Sequence, residues 1–113
     1  MREALITTTC LDFIDSADQR FRLKFLQVIE VLIEVPLANS HFVKKLAGTE
    51  YYELRIRANQ EYRIIVKTLD SADFNQCRKF ICLVGFIKKS TKDYRNALRR
   101  ANTVLNNWQE NGY

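Results

Sequence analysis

The sequence predicts an α+β fold: one strand, one or two helices, three strands and a final helix. Apolar residues recur at helical spacing after position 16 and again after position 90. Between them, residues 51–68 alternate apolar and charged side chains, as two half-buried strands do. At 113 residues, the chain has no room for a second hydrophobic core, so residues 1–113 are expected to form a single domain.

The N-terminal third predicts a strand followed by helices. Residues 3–8 are few and rich in β-branched side chains, which favours a first strand. A helical turn over residues 11–14 comes next. Ser16 and Gln19 match a capping box for the main helix, and Pro36 ends that helix. Its apolar face is formed by Phe21, Phe25, Val28, Ile29 and Leu32.

The middle of the chain predicts a hairpin. Residues 37–49 are interpreted as a loop or a short helix ending at Gly48. Residues 51–57 and 62–68 form the two strands, joined by a three-residue turn in which Asn59 tolerates a left-handed conformation. A slip of one residue would turn the apolar sets to opposite faces, so the register is well determined.

That register places Arg57 opposite Glu61 and Arg55 opposite Arg63. The first pair is an ordinary cross-strand ion pair, but two guanidiniums facing each other destabilise a sheet by up to about 1 kcal/mol. Either carboxylates such as Glu53 neutralise them, or they bind an anion. We favour the anion.

The C-terminal part predicts a buried strand and a basic helix. Residues 70–76 form a polar loop, and residues 80–87 are continuously apolar, as in a strand buried on both faces. Lys88 and Lys89 follow directly. The last helix runs from position 90 or 91 to Trp108. Its apolar side is formed by Tyr94, Leu98, Ala101 and Leu105. Tyr94 serves either core packing or a site, where it would stack on a base or present its hydroxyl near lysines.

The positive charge is concentrated in one half of the chain. The net charge is +5, with −1 on residues 1–56 and +6 on residues 57–113. Such a distribution suits a polyanion, although charged helical faces are often only solvated.

Several enzyme classes are disfavoured by the absence of their motifs. The sequence has no phosphate-binding glycine loop, dinucleotide fingerprint, HExxH or GxSxG. Phosphotransfer from a nucleotide, hydride transfer and acyl hydrolysis are therefore not expected. His41 is the lone histidine, and the three cysteines have no ligand spacing, so we expect neither a metal nor a cofactor. No apolar run could span a membrane, and a reduced cytoplasm is the expected compartment.

Four motifs together resemble a known superfamily. They are KLAG at 45–48, YELRI at 52–56, YRII at 62–65 and GFIKKSTK at 85–92. In order and spacing the chain resembles the RelE/ParE toxins of bacterial toxin–antitoxin systems over residues 3–105, above all their HigB-type, phage-derived Gp49-like branch. The resemblance implies a RelE-like fold: a mainly antiparallel sheet packed against N-terminal helices, with a C-terminal helix.

The resemblance also implies an activity. Such proteins include metal-independent endoribonucleases (mRNA interferases) that cut messenger RNA on the ribosome by 2′-hydroxyl attack and so inhibit translation. By position, Arg55 matches an RNA contact and Arg63 an arginine that stabilises the phosphate. Lys88 or Lys89 lies near a further catalytic cation, and Tyr94 near a residue that stacks or transfers a proton. The further RNA contacts we expect are Arg57, Lys44, Lys45 and Lys92.

The chain departs from the family pattern in two places, and two other functions are compatible with the same fold. The KKTxKTP turn of the family lacks its proline here, and no histidine pair lies near the C-terminus, so the general base is not identified. A ParE-like toxin that inhibits DNA gyrase, or a non-toxic basic binding module, would share the fold.

The resemblance implies partners as well. They are messenger RNA, the ribosome and an antitoxin of HigA-like, helix-turn-helix type in a hetero-oligomer. Trp108 and Tyr113 are either contacts for that antitoxin or a frayed helix end.

Overall fold

The α+β prediction is confirmed by the computed structural model, which describes residues 1–112. The elements are β1 (Glu3–Ile6), α1 (Thr8–Ser16), α2 (Gln19–Glu34), β2 (Val43–Lys45), β3 (Tyr51–Ala58), β4 (Gln60–Thr68), β5 (Lys79–Ile87) and α3 (Lys92–Asn111), with a 3-10 turn at Phe74–Gln76. Over this range the strands form one sheet in the order β1-β5-β4-β3-β2. Only β1 and β5 run parallel, so the sheet is mixed and mostly antiparallel.

The first strand is shorter than predicted because Thr7 serves α1 instead. The backbone N–H of Thr7 donates to Cys82 O at 3.1 Å. Its hydroxyl accepts from Cys10 N at 3.1 Å, which makes Thr7 the N-cap, and donates to Leu83 O at 2.7 Å. The predicted helical turn at 11–14 is therefore part of a full helix.

The capping box assigned to Ser16 is wrong. Ser16 is the last residue of α1, and its hydroxyl donates back to Phe13 O at 3.1 Å. Asp18 caps α2 instead, since its carboxylate accepts from Arg20 N at 2.7 Å. Because α1 continues to Ser16, only two residues separate it from α2, and the N-cap of α2 lies two positions later than predicted.

The segment 37–49 holds a strand that the sequence did not predict. β2 pairs with β3, Lys44 lying opposite Glu53 and Lys45 opposite Tyr52. Three residues with two lysines carry no apolar alternation, so nothing in the local pattern distinguishes them from a loop.

The hairpin register is confirmed, with Arg57 opposite Glu61 and Arg55 opposite Arg63. The turn is tighter than predicted, because the strands continue to Ala58 and Gln60 and leave only Asn59 at the apex, with φ of 72°.

Two hydrophobic clusters lie on the two faces of the sheet. Helices α1 and α2 cover one face, where Leu54, Ile64 and Val66 are buried. Helix α3 covers the other, with Ile65 and Ala101. β5 contributes to both clusters, as expected for a strand buried on both faces.

The cysteines are core residues. Cys10, Cys77 and Cys82 are free and buried, and burial raises the pKa of the Cys10 thiol to about 12. Helices of residues 1–112 include none that is both long and apolar enough to cross a membrane.

Candidate active site

The two opposed arginines lie on the face of the sheet that α3 covers, with Glu53 between them. Glu53 Oε1 lies 3.1 Å from Arg63 Nε and 3.5 Å from Arg55 Nε. The Glu53 side chain is only 6% exposed. Of the two alternatives for this pair, the structure therefore contains the neutralising carboxylate. A buried carboxylate between two guanidiniums offsets the repulsion that the register imposes.

Protein groups hold Arg63 on several sides. Its Nε donates to the Tyr94 hydroxyl at 3.0 Å, and its Nη1 donates to Glu61 Oε2 at 3.3 Å and to Tyr62 O at 3.0 Å. Burial alone would lower the pKa of Arg63, but the hydrogen bonds to Tyr94 and Glu61 and the charge of Glu53 raise it. Arg63 is thus a fixed cation, with a side chain 3% exposed.

Tyr94 completes the cluster from α3. Its hydroxyl donates to Glu53 Oε1 at 3.0 Å, and its ring stands edge-on to Phe86 with centroids 5.2 Å apart. Burial, followed by the charge of Glu53, raises the pKa of Tyr94 despite the hydrogen bond from Arg63. The hydroxyl is a neutral phenol at physiological pH. Tyr94 therefore serves both packing and a polar network.

Accessible cations surround this buried network. Arg55 keeps 39% of its side chain exposed. Lys44 is exposed and stands opposite Glu53 on the same face. Lys88 is half-buried, with its ammonium 5.9 Å from the centre of the Tyr94 ring. We call Arg55, Arg63, Lys44 and Lys88 the cationic cluster.

Lys89 and Lys92 lie beside the cationic cluster, exposed in the turn that leads into α3. Asp93 holds this turn, since its Oδ2 accepts from Lys89 N at 2.7 Å and Ser90 N at 2.9 Å. Those hydrogen bonds lower the pKa of Asp93. The turn is thus held by hydrogen bonds from its backbone to the Asp93 carboxylate.

Two predicted RNA contacts lie apart from the cationic cluster. Lys45 is on the opposite face, where its ammonium lies 5.7 Å from the Tyr52 ring centre and donates to Thr49 O. Arg57 extends from the hairpin tip, 85% exposed, with its Nε 3.7 Å from Glu61 Oε1.

The sequence indicates Glu53 only as a neutralising partner for the arginines. In the structure it joins both arginines and Tyr94. The signal was its alternation onto the same strand face as Arg55. The contact between Glu53 and Tyr94 depends on the docking of α3, so no pattern in the sequence around Glu53 indicates it.

The remaining predictions concern the helix end and metal ions. Trp108 is half-buried against the cluster of α3 rather than exposed, and Tyr113 lies outside the described residues. Within residues 1–112, no group of three or more histidine, cysteine, aspartate or glutamate side chains could hold a metal ion.

Two solved structures share this fold. RelE in the intact E. coli RelBE toxin–antitoxin complex is 13% identical, with a TM-score of 0.59 over 80% of this chain and 100% of that one. A free E. coli RelE with two arginines replaced by alanine is 16% identical, with a TM-score of 0.60 over 88% and 96% of the chains. At these identities the likeness establishes the fold. No curated protein matches significantly.

A family model agrees with the fold. The model for phage-derived Gp49-like proteins (DUF891) matches residues 12–106, which is most of the chain. The chain therefore belongs to the phage-derived Gp49-like family, as its motifs predicted.

Proposed function

We propose that this chain is the toxin of a type II toxin–antitoxin system. It cuts messenger RNA on the ribosome, without a metal, by attack of a ribose 2′-hydroxyl on the adjacent phosphate, and so inhibits translation. The observation that carries the proposal is the cationic cluster around the Tyr94 hydroxyl, on a RelE-like fold.

The exposed members of the cluster bind the substrate backbone. Arg55 and Lys44 clamp phosphates beside the scissile bond, and Lys89 and Lys92 extend the contact along the turn. Lys45 and Arg57 contact more distant phosphates, since both lie apart from the cluster. Attack within one nucleotide is intramolecular, so holding the backbone supplies much of the acceleration.

Arg63 and Lys88 stabilise the charge that builds on the phosphoryl oxygens. Arg63 is fixed by Glu53, Tyr94 and Tyr62, but its fourth partner, Glu61, is 44% exposed. An incoming phosphate displaces Glu61 from Nη1. The arginine then contacts the phosphate without moving, which avoids reorganisation at the moment of reaction.

Tyr94 and Glu53 move the first proton. The 2′-hydroxyl gives its proton to the Tyr94 oxygen while Tyr94 gives its own to Glu53, along the 3.0 Å hydrogen bond. The bond from O2′ to phosphorus forms and the bond to O5′ breaks. The departing oxygen takes a proton from Lys88 or Lys89. Because its pKa is raised, Tyr94 acts as a relay and not as a standing base.

An antitoxin, of HigA-like, helix-turn-helix type, covers the cationic surface in a hetero-oligomer, and the cytoplasm is the site of action. In support, E. coli RelE has been solved in complex with its antitoxin.

The test is induced expression in a bacterial host, with primer extension on abundant transcripts. Wild type should arrest growth and cut inside translated codons. Lys88→Ala should lower cleavage about a hundredfold with the fold intact. Arg99→Ala, which changes an exposed residue of α3 outside the cationic cluster, is the matched control and should cut like wild type. Full cleavage by Lys88→Ala would refute its assigned role.

A second candidate is a ParE-like toxin that inhibits DNA gyrase without cutting RNA. The burial of Arg63 among protein partners favours it, because a structural ion-pair network needs no substrate. Growth arrest with intact transcripts and DNA-damage signalling would support this candidate. Healthy growth without an antitoxin would indicate a non-toxic binding module.

A further inference from the structure

Part of β3 has no strand beside it. β2 pairs only with residues 52–54, so in the described chain the outer edge of β3 is open over residues 56–58. The preceding loop reaches as far as Phe42 O, which accepts from Arg55 N at 2.8 Å. Backbone groups alternate in direction along a strand. The N–H and C=O of Arg57 therefore point to the same open side.

The chain turns away from this edge for a definite reason. Phe42 N and Val43 N both donate to Asn39 O, at 2.9 and 3.1 Å. This turn lifts residues 39–41 off the line that β2 would follow if it continued. The edge position beside Arg57 is thus left for another segment.

A groove runs between this edge and α2. It has a volume of about 520 Å³ and continues into a second depression of about 510 Å³ at the hairpin tip, which shares Lys24 and Arg57. We call the two together the α2–β3 groove. Its apolar floor is formed by Val28, Val31, Phe42 and Ile56. Val31 is 42% exposed although it is a large apolar residue, so the floor is not covered by the described part of the chain.

The rim of the groove is cationic. It includes Arg20, Lys24, Arg55 and Arg57, and no carboxylate of residues 1–112 lines it. Lys24 Nζ donates to Arg57 O at 2.6 Å. A lysine over the free carbonyl of an edge strand protects that edge against unspecific pairing. A segment that pairs with this edge must therefore draw the lysine away from the Arg57 carbonyl.

We propose that the α2–β3 groove binds an acidic, extended segment of a partner protein, which adds a strand to β3 beside Arg57. Side chains of an added strand alternate between faces. One set, apolar, packs on Val28 and Val31. The other set, acidic, faces Arg55 and Arg57, while a carboxylate draws Lys24 from the Arg57 carbonyl. The apolar floor and the backbone edge favour a protein segment over RNA, because a sugar-phosphate backbone has no peptide groups to pair. The proposal does not depend on RNA cleavage.

The experiment titrates the full chain, labelled with nitrogen-15, with a probe peptide of about seven residues that alternates glutamate and valine. The amide of Arg57 should shift downfield and become protected from exchange as it gains a partner. The same peptide with methyl groups on the amides that face β3 should lose about tenfold or more in affinity, because it keeps the charge but cannot pair.

Variants of the chain locate the site. Arg57→Glu should weaken binding at least about tenfold, and Arg99→Glu, an equal charge reversal on α3, should not. If the methylated and unmethylated peptides bound with equal affinity, backbone pairing with β3 would not contribute to binding. Strand addition would then be overturned, whatever the protein variants showed. Shifts confined to the turn at Lys88 and Lys89, or displacement by a short oligouridylate alone, would overturn the proposed occupant.

Discussion

Glu53 determines how two arginines coexist on neighbouring strands. Its carboxylate is buried and lies within 3.5 Å of both guanidiniums, and it also accepts from Tyr94. A buried carboxylate is itself costly to desolvate, so its retention here has a physical reason: it cancels part of the charge that Arg55 and Arg63 bring together. The stability of the hairpin and the proposed chemistry therefore depend on one side chain.

Replacing Glu53 by glutamine should lower the free energy of unfolding by about 3 kcal/mol, because the two cations then lose the buried carboxylate between them. Urea denaturation measures the change. Glu50→Gln, an exposed neighbour, is the matched control and should stay within about 0.5 kcal/mol of wild type. A Glu53→Gln chain as stable as wild type would mean that Glu61 alone neutralises Arg63.

The glycine of the GF motif has a packing role. A Cβ added to Gly85 would overlap the Phe13 ring and lie 2.9 Å from Ile64 Cδ1. Gly85→Ala should therefore destabilise the fold by about 1–3 kcal/mol, as measured by urea denaturation. Phe13→Leu in the same chain should recover part of this loss, and strict additivity of the two changes would contradict the explanation.

The turn from β5 into α3 is held by one carboxylate. Thr91 occupies the N-cap position without a side-chain hydrogen bond, so Asp93 carries the stabilisation by accepting from two backbone amides. This turn sets where Lys88, Lys89 and Lys92 lie relative to the sheet. Local electrostatics thus control the geometry of the basic surface.

The stabilisation by Asp93 should depend on pH. Its pKa is lowered from 3.8, first by the hydrogen bond from Lys89 N. A depressed pKa stabilises the folded state above the unfolded value and loses that effect as the pH falls through the folded value. The difference in unfolding free energy between wild type and Asp93→Asn should therefore be constant at neutral pH and shrink below 3.8. Urea denaturation across this range is the measurement, with Asp12→Asn as a control. A difference that persists at the acid end would contradict the assignment.

An element can be predicted from the sequence when the interactions that form it lie within the element or between neighbouring segments. The hairpin register followed from alternation alone, because one slip would expose an entire apolar face. β2 could not be predicted, since its pairing with β3 is tertiary. The site divides in the same way. Arg55 and Arg63 were placed opposite each other by the register, whereas the contacts of Tyr94 with Glu53 and Arg63 depend on how α3 docks.

The molecule as a whole is joined through β5, which is buried on both faces and contributes to both hydrophobic clusters. Loss of either cluster removes support from the same strand. We therefore expect residues 1–112 to unfold as one cooperative unit.

Two signals test this expectation during denaturation. Trp108 fluorescence reports the cluster under α3, and far-ultraviolet circular dichroism reports secondary structure throughout. Their urea midpoints should coincide. A fluorescence transition at clearly lower urea would mean that α3 separates first, as a locally less stable unit.

The order of assembly during translation follows from the parallel pairing of β1 with β5. Glu3 pairs with Lys79, so the ribosome must synthesise most of the chain before the first strand finds its neighbour, and long loops slow such closure. Tyr94 is added later still. The cationic cluster is therefore among the last parts of the fold that a nascent chain can complete. No N-terminal segment that ends before α3 carries both this cluster and Tyr94, so a growing chain has to reach α3 before it can acquire the proposed activity.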